Sequence, residues 1–287
     1  MDWVPLFFID AVCHQMKLDA FKQVSELTAG WAEFGAEHRE KRRELAFFCN
    51  HGHTTSYSLE DRKDGTELVV ADLNSEFDRI TLVKYSPTDQ LTNWVSLEEL
   101  KRDVFPTVAS LAANCYWPYL NHLSPHNLFF FKAFKNCPGF NDITVKEHGR
   151  ESRDFIARQV ELGNVHTLHL LVRESVNWPE PEDLAETLKT FVNSPRFHYL
   201  IYHGSLPNDI ELFELFLERA IAGELKPGAY ISLDNIALEK SQRIKSLRPE
   251  CREASKEIAW RIPNSNRRVV VEEKNGISCM EVKRSVI

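Results

Sequence analysis

Histidine and cysteine side chains that could bind a metal stand close together at two places in the sequence. The first group is Cys49, His51 and His53, and the second is His166 and His169. A structural zinc site uses four ligands, and the first group has no fourth ligand at the spacing that such sites use. On a strand, the two histidines of the second group would point to opposite faces. We therefore predict no metal and no cofactor, and we interpret the first group as part of a connecting loop.

The sequence lacks the motifs that mark common enzymes. No two of its eleven glycines stand two residues apart, so the dinucleotide-binding motif G-x-G-x-x-G is absent. There is also no Walker A loop and no G-x-S-x-G nucleophile elbow. No set of nucleophilic and charged residues suggests a catalytic site. We therefore predict no catalytic residue, and we expect a protein that binds rather than an enzyme.

The composition is typical of a globular protein from a reducing compartment. The 287 residues are 43% hydrophobic and 27% charged, which are ordinary values for a folded domain. The six cysteines are scattered without a C-x-x-C pair, and no Asn-x-Ser/Thr glycosylation site occurs. Both observations favour a reducing compartment inside the cell, where disulfides are rare. The sequence therefore predicts a cytoplasmic or nuclear protein that is not secreted.

The apolar stretch MDWVPLFFIDAVCHQM at the start of the sequence has neither the charge nor the length of a targeting segment. Its first charge is negative, at Asp2, and Asp10 interrupts the apolar run, whereas an export signal begins with positive charge. A membrane-spanning helix needs about 20 apolar residues in a row, and the chain has no such run. We therefore expect no membrane partner, and these apolar residues must enter a core or bind another protein.

The charge is distributed unevenly along the chain. Residues 1–239 carry 23 basic and 36 acidic side chains, a net charge of −13, whereas the segment from Lys240 onward carries twelve Lys and Arg and six Glu, a net charge of +6. Acidic residues interleave the basic ones, so we expect no nucleic-acid partner. The run HREKRRE from His38 is interpreted in the same way, as the solvated face of a helix.

The first 48 residues have the apolar spacing of short helices. Steps of three, four and five residues dominate, which is helical periodicity. Pro5 suits the first turn of a helix, and Asp19 suits the N-cap of a second. Gly30 and Gly35 weaken a third helix, and AEHREKRRELAFF is again a good helix former. The apolar positions are Val4, Pro5, Phe8, Val12, Met16, Phe21, Val24, Leu27 and Trp31.

This spacing resembles the F-box. The F-box pattern begins with Leu-Pro, continues with apolar residues at regular steps and ends in a Trp, and Val4, Pro5 and Trp31 stand at its two ends here. The apolar frame is kept, and the residues that are usually polar differ. The differing positions are Phe7, Ala20, Thr28 and Ala29. With its later segments, the chain resembles the large F-box family expanded in nematodes, with its F-box-associated domains.

The resemblance implies a partner. In the family, the F-box docks on the Skp-type linker protein of SCF ubiquitin ligases, which is recognition of an apolar helix face by a groove. Leu27 and Trp31 are expected inside the module. The resemblance implies contact with the linker protein through Val4, Pro5, Phe8, Val12, Met16, Phe21 and Val24, of which the first four are the strongest candidates.

A strand pattern recurs in the rest of the chain. Phe77, Phe140, Val165 and Phe197 each begin an apolar-x-x-apolar-x-apolar template, and Tyr230 begins a weaker copy. Two copies lie within FKNCPGFNDITV and FVNSPRFHYLIY, which are 57 residues apart, and such similarity at a fixed offset is typical of repeats. Amphipathic helices are predicted between these strands, at residues 152–162, 182–192 and 209–222.

Alternating strands and helices predict an α/β fold with a parallel sheet and helices outside it. At a period of 25–32 residues, an irregular leucine-rich-repeat-like domain is favoured over residues 77–239, and an open α/β sheet is the alternative. A degenerate strand unit is conceivable near Phe105 to Val108. The run LFFFKAF from Leu128 is predicted to be a buried helix.

The C-terminal segment predicts a different structure. Asn275-Gly276 lies between two apolar runs, the strongest short signal for a β-hairpin, and Trp260 to Pro263 precede it. We expect this segment to cap the last repeat. The predicted organisation is an F-box-like three-helix module (1–48), a connecting segment (49–76), a strand–helix repeat domain (77–239) and a capping segment with a β-hairpin (240–287).

Two functions remain open from the sequence. In the first, the chain is a substrate-recognition adaptor of an SCF-type cullin–RING ubiquitin ligase, which docks the linker protein through the helical module and an unidentified protein target through the repeat domain. In the second, it is a stand-alone protein-binding or neutralising module whose N-terminal helices only cap the repeat domain. Exposure of Val4, Pro5, Phe8 and Val12 as a patch would favour the first.

Overall fold

The chain forms two compact units, residues Met1–Asp142 and Ile143–Ile287, in a computed structural model. The structure describes residues 4–27, 29–51, 55–85, 91–113, 119–122, 128–137, 139–146, 149–171, 181–204, 209–234, 252–254, 257–262, 265–274 and 277–284. Each unit combines helices with strands, so the chain is a mixed α/β protein, as predicted.

Three helices open the first unit, as the apolar spacing predicted. They are α1 (Leu6–Gln15), α2 (Phe21–Val24), which follows a 3-10 turn at Leu18–Ala20, and α3 (Ala29–Lys41). We call α1, α2 and α3 the helical module. Pro5 precedes α1 with φ −58°, the value that its ring favours at a helix start. The core of the module consists of Ile9, Cys13, Phe21 and Val24.

A mixed sheet follows the helical module in the first unit. Its strands are β1 (Glu44–His51), β2 (Thr55–Asp61), β3 (Glu67–Leu68), β4 (Arg79–Tyr85), β5 (Asn93–Trp94) and β6 (Tyr119–His122). They lie in the order β6-β4-β1-β2-β3, with β5 paired to β2. The pairs β6–β4 and β4–β1 are parallel, and β1–β2, β2–β3 and β2–β5 are antiparallel.

Further helices of the first unit supply an aromatic core. They are α4 (Leu97–Glu99), which continues through a π-helical turn at Leu100–Val104 into α5 (Phe105–Ala113), and α6 (Leu128–Phe134). Phe105, Phe130 and Phe134 are fully or almost fully buried. The Phe130 and Phe134 ring centroids lie 5.0 Å apart, and those of Phe105 and Phe134 lie 5.5 Å apart. The prediction of a buried helix at LFFFKAF is confirmed.

The second unit begins with alternating strands and helices. Its first elements are β7 (Asp142–Lys146), α7 (Arg150–Glu161), β8 (Thr167–Leu171), α8 (Pro181–Asn193), β9 (Tyr199–His203), α9 (Asp209–Ile221) and β10 (Tyr230–Asp234). The strands β7 to β10 lie side by side in chain order, and the pairs β8–β9 and β9–β10 are parallel. These helices and strands confirm the predicted elements.

Each recurring strand template supplies core residues at its apolar positions. In β8 and β9 every second side chain is buried, as a strand with one face in a core requires. The buried residues of these two strands are Leu168, Leu170, Leu200 and Tyr202. Phe197, the first residue of one template, packs between Phe191 of α8 and Phe216 of α9, with ring centroids 5.2 and 6.0 Å away.

Antiparallel strands complete the second unit. They are β11 (Arg252–Ala254), β12 (Glu257–Arg261), β13 (Arg267–Lys274) and β14 (Ile277–Arg284), in the sheet order β11-β12-β13-β14-β10. The strands β13 and β14 pair from Arg267↔Arg284 to Lys274↔Ile277, so the predicted C-terminal hairpin is confirmed. Its turn, Asn275-Gly276, lies outside the described residues.

Two local predictions were wrong. The segment ELAFF was expected to be helical, but it lies in β1, because pairing with β2 and β4 on both sides overrides its helix propensity. The conceivable strand near Phe105 is the start of α5. Since β1 begins at Glu44, the predicted end of the helical module at residue 48 falls inside a strand. The leucine-rich-repeat-like arrangement stays a prediction.

Candidate docking site on the N-terminal helices

Apolar side chains at the start of α1 face solvent. Among the described residues, six large hydrophobic side chains are exposed, and four of them lie on the helical module or between its helices. Leu6, Phe7 and Phe8 are 59%, 78% and 50% exposed, and Leu27, between α2 and α3, is 50% exposed. Pro5 beside them is also exposed. We call Pro5, Leu6, Phe7 and Phe8 the α1 patch.

The geometry of a helix explains why these side chains are outside. Successive residues of an α-helix are about 100° apart, so three consecutive apolar residues cover more of the helix surface than one core contact can bury. The core side of α1 is taken by Ile9 and Cys13, which are four residues apart and buried. Full burial of a side chain such as Phe is favourable by roughly 1.5–3 kcal/mol, which a partner of the α1 patch would gain.

The predicted contact residues divide by exposure. Pro5 and Phe8 are exposed, and Val4, Val12 and Met16 are half-buried. Val4 and Met16 pack against the core of the helical module.

Two predicted contact residues, Phe21 and Val24, lie within the core of the module itself. There they hold α2 against its neighbours and offer no surface to a partner.

Sequence reasoning missed part of the patch. Leu6 and Phe7 were not assigned to it, and Leu27, which was expected inside the module, is exposed. Phe7 could have been found, because an apolar residue stands there at a position where the F-box pattern has a polar one. Trp31 packs against the module core from a half-buried position, in line with its expected internal place.

A polar cluster lies behind α1. Asp10 Oδ1 is 3.3 Å from His14 Nε2 and 3.2 Å from His38 Nε2. Arg79 of β4 contacts His14 Nδ1. The cluster therefore connects α1, α3 and β4 through side chains that no sequence motif marks.

Two successive arginines attach the helical module to the sheet. Arg42 donates to the backbone oxygens of Cys13 and His14 at 2.9 and 3.2 Å, where α1 ends and carbonyl groups lack helical partners. Arg43 makes a two-pronged contact with Asp78, with Nε–Oδ1 2.8 Å and Nη2–Oδ2 2.6 Å. The interpretation of HREKRRE as a solvated face is therefore wrong for His38, Arg42 and Arg43, because His38 and Arg42 are buried and Arg43 is paired with Asp78.

The Asp10–His14–His38 cluster has metal-ligating side chains, with one ligand atom of each within 4.8 Å of the others. However, a ring nitrogen that binds a metal leaves its other nitrogen protonated, and that N–H needs an acceptor. In His14 the other nitrogen, Nδ1, faces the Arg79 guanidinium, which only donates. The contacts therefore fit a hydrogen-bonded network in which both histidines donate to Asp10.

The residues predicted not to bind a metal are placed as follows. Cys49 is buried in β1, the described structure does not include the His51 side chain, and His53 lies outside the described residues. His169 of β8 packs against Tyr199 of β9, with ring centroids 5.2 Å apart. Among the described residues, neither His166 nor His169 belongs to a group of three metal-ligating side chains.

Burial and nearby arginines set the protonation of the cluster. Burial, then the charge of Arg79, lowers the pKa of His14 below its usual 6.5. Burial also lowers the pKa of His38, and the hydrogen bond to Asp10 opposes that shift. Burial, with the Asp10 carboxylate, raises the pKa of the Cys13 thiol to about 11. Both rings are therefore neutral, and the thiol is protonated, at neutral pH.

An open cleft of ≈ 320 Å³ lies beside this cluster. Its lining residues are Ala11, His14, Gln15, Ser75, Glu76 and Arg79.

In the part of the chain that the structure describes, no helix has both the length and the apolar composition to cross a membrane.

The chain matches no protein-family model, and no curated protein is significantly similar to it. The resemblance to the F-box therefore depends on the residues from Val4 to Trp31 themselves.

Proposed function

We propose that this chain is a substrate-recognition adaptor of an SCF-type cullin–RING ubiquitin ligase. The α1 patch would dock on the Skp-type linker protein, and the strand–helix region would hold a protein target that is ubiquitinated. The exposure of Leu6, Phe7 and Phe8 on one helix turn is the observation that carries the proposal, because clustered exposed apolar side chains usually mark a binding surface.

The composition of the α1 patch suits a helix-in-groove interface. Its anchors are two phenylalanines and a leucine, and aromatic anchors that fill pockets carry much of the binding free energy of protein interfaces. The adaptor would perform no chemistry itself. Its effect on rate would be proximity, since it raises the effective concentration of target lysines near the transferring enzyme.

The predicted contact residues that pack into the helical module favour a second function. Phe21 and Val24 are buried in the helical module, and Val4 and Met16 pack against its core. Such inward packing is what helices that only cap a binding domain would show. The chain would then be a stand-alone protein-binding or neutralising module.

Co-purification with a Skp-type linker protein tests the two functions. Phe7→Asp places a charge on the α1 patch, and Trp94→Asp is its matched control, because Trp94 is an aromatic residue 65% exposed in β5. We expect the linker to co-purify with the parent and the Trp94→Asp variant, and at least tenfold less with Phe7→Asp. The adaptor function would be contradicted if Phe7→Asp retained the linker, or if none of the three chains bound it.

A further inference from the structure

His38 lies where three segments around α1 meet. Its ring stacks on Phe21 of α2, with centroids 5.3 Å apart, and meets the edges of Phe77 and His14 at 5.4 and 4.6 Å. Only 1% of its side chain is exposed. Any added charge on this ring must therefore be accommodated without bulk water.

Charged and titratable groups face the two histidine rings from each neighbouring element. From α1 comes Asp10, from the residue after α3 comes Arg42, and from β4 comes Arg79. Cys13 of α1 interacts with Asp10 and Arg42. Glu76 lines the open cleft beside His14. Within the described ranges, Asp10 is the one carboxylate that contacts both rings, at 3.2 and 3.3 Å.

Protonation of the two rings would change the electrostatic interactions within the cluster from attractive to repulsive. With neutral rings, Asp10 accepts a hydrogen bond from each imidazole and Arg79 donates to His14 Nδ1, so each of these contacts is attractive. With both rings protonated, four positive groups would surround one carboxylate, at a site where His38 is buried and Asp10 and His14 are partly exposed. The repulsion would act between His14 of α1 on one side and Arg42, Arg79 and His38 on the other.

We propose that Asp10, His14 and His38 form an acid-sensitive latch that holds α1 against α3 and β4. Neutral rings keep the latch closed and the α1 patch presented in a fixed orientation. Protonated rings open it and release α1. The consequence for linker binding rests on the proposed function, whereas the opening of α1 does not.

The pH dependence follows from the lowered pKa values of both rings. A histidine on released α1, or in the unfolded chain, titrates near its usual value of about 6.5, and the packed rings titrate lower. The closed latch is therefore fully stable above about pH 6.5. Its stability is lost as pH falls through the two lowered values, because protons then bind more strongly to the open form.

Hydrogen exchange of the α1 amides tests the latch in the full chain without any partner. We expect α1 protection factors to fall at least tenfold between pH 7.5 and pH 5.5 in the parent, and NMR titration to place both rings below pH 6.5. His14→Gln keeps a side-chain donor that does not titrate and leaves only His38 of the pair to bind a proton, so its α1 protection should fall by a smaller factor than in the parent. His198→Gln, in the second unit, is the histidine control and should behave as the parent.

The outcomes separate the latch from the docking proposal. An α1 protection factor that is equally pH-dependent in the parent and in His14→Gln, or rings that titrate at or above pH 6.5, would overturn the latch. The NMR titration needs no variant, so a variant that fails to fold does not decide the matter. If α1 opens with acid but the linker binds at no pH, the latch stands and the docking proposal fails. If the linker binds equally at both pH values while α1 stays protected, the latch fails.

Discussion

At the scale of single residues, the neighbouring arginines Arg42 and Arg43 bind different partners. Arg42 ends under α1 and donates to the carbonyl groups of Cys13 and His14, where a positive charge also suits the helix dipole. Arg43 turns the other way, to the buried carboxylate of Asp78. A sequence pattern can identify a basic run, but it does not show which members leave the solvent.

Asp78→Ala should destabilise the chain by roughly 3 kcal/mol in the free energy of unfolding. Removal of one partner of a buried pair costs about 3–5 kcal/mol, and the lower end applies because the Arg43 side chain is partly exposed. The change also removes the acceptor of the Asn74 backbone N–H, which lies 2.7 Å from Asp78 Oδ2. Urea denaturation measures the loss.

The control for this prediction is Asp103→Ala. Asp103 pairs with Arg102 at 2.6 Å, but both side chains are mostly exposed and solvent screens their attraction, so this substitution should change the free energy of unfolding much less. Equal effects of the two substitutions would show that burial of the Arg43–Asp78 pair does not matter for stability.

At the scale of elements, periodicity located the strands and helices that repeat. The templates beginning at Phe77, Phe140, Val165 and Phe197 lead into β4, β7, β8 and β9. These segments were predictable because one face is buried and the apolar residues therefore recur at fixed steps. Pro and Gly near the helix ends supplied the boundaries.

The strand β1 shows where periodicity fails. Leu45, Ala46, Phe47 and Cys49 are all buried, so both faces of the strand are covered and no polar residue marks an alternation. In a short apolar run of this kind, the spacing of the residues does not distinguish a helix from a strand. The pairing of β1 with β2 and β4 decides its structure, and that information lies in distant residues.

Gly35 gives a prediction about helix packing in the helical module. A Cβ at Gly35 would lie 2.8 Å from Val24 Cγ1 and 3.2 Å from the Ser25 backbone nitrogen. Alanine would gain about 1 kcal/mol in helix propensity, but overpacking costs typically 1–3 kcal/mol and the backbone cannot move aside freely. We expect Gly35→Ala to lower the free energy of unfolding by up to about 2 kcal/mol.

Gly30→Ala is the matched control in the same helix. Its Cβ would meet only side-chain ends, Ile9 Cδ1 and Leu6 Cδ2, both at 3.2 Å, and the Leu6 side chain is exposed and free to shift. The propensity gain should then offset the contact, so the stability stays within about 1 kcal/mol of the parent. Thermal unfolding in which Gly35→Ala is at least as stable as Gly30→Ala would refute the close approach of α2 and α3.

At the scale of the whole molecule, the sequence predicted the succession of parts better than the surface. A helical N-terminal segment, strand–helix alternation and a final hairpin could be inferred from local patterns. The α1 patch could be inferred only in part, because Phe8, Phe21 and Val24 share one apolar spacing and yet differ from half exposed to buried. The cluster of Asp10, His14 and His38, of which only His38 is buried, joins residues up to 28 positions apart, which no local pattern reveals.

The affinity of the chain for a Skp-type linker protein, measured by calorimetry for the parent and for Phe7→Ala, tests the central claim most directly. If Phe7 is an anchor, its truncation should weaken binding at least tenfold, about 1.4 kcal/mol. The free energy of unfolding should stay within about 0.5 kcal/mol of the parent, because the side chain is 78% exposed. Equal affinity of the two chains, or no binding by the folded parent, would contradict the claim that the α1 patch docks the linker.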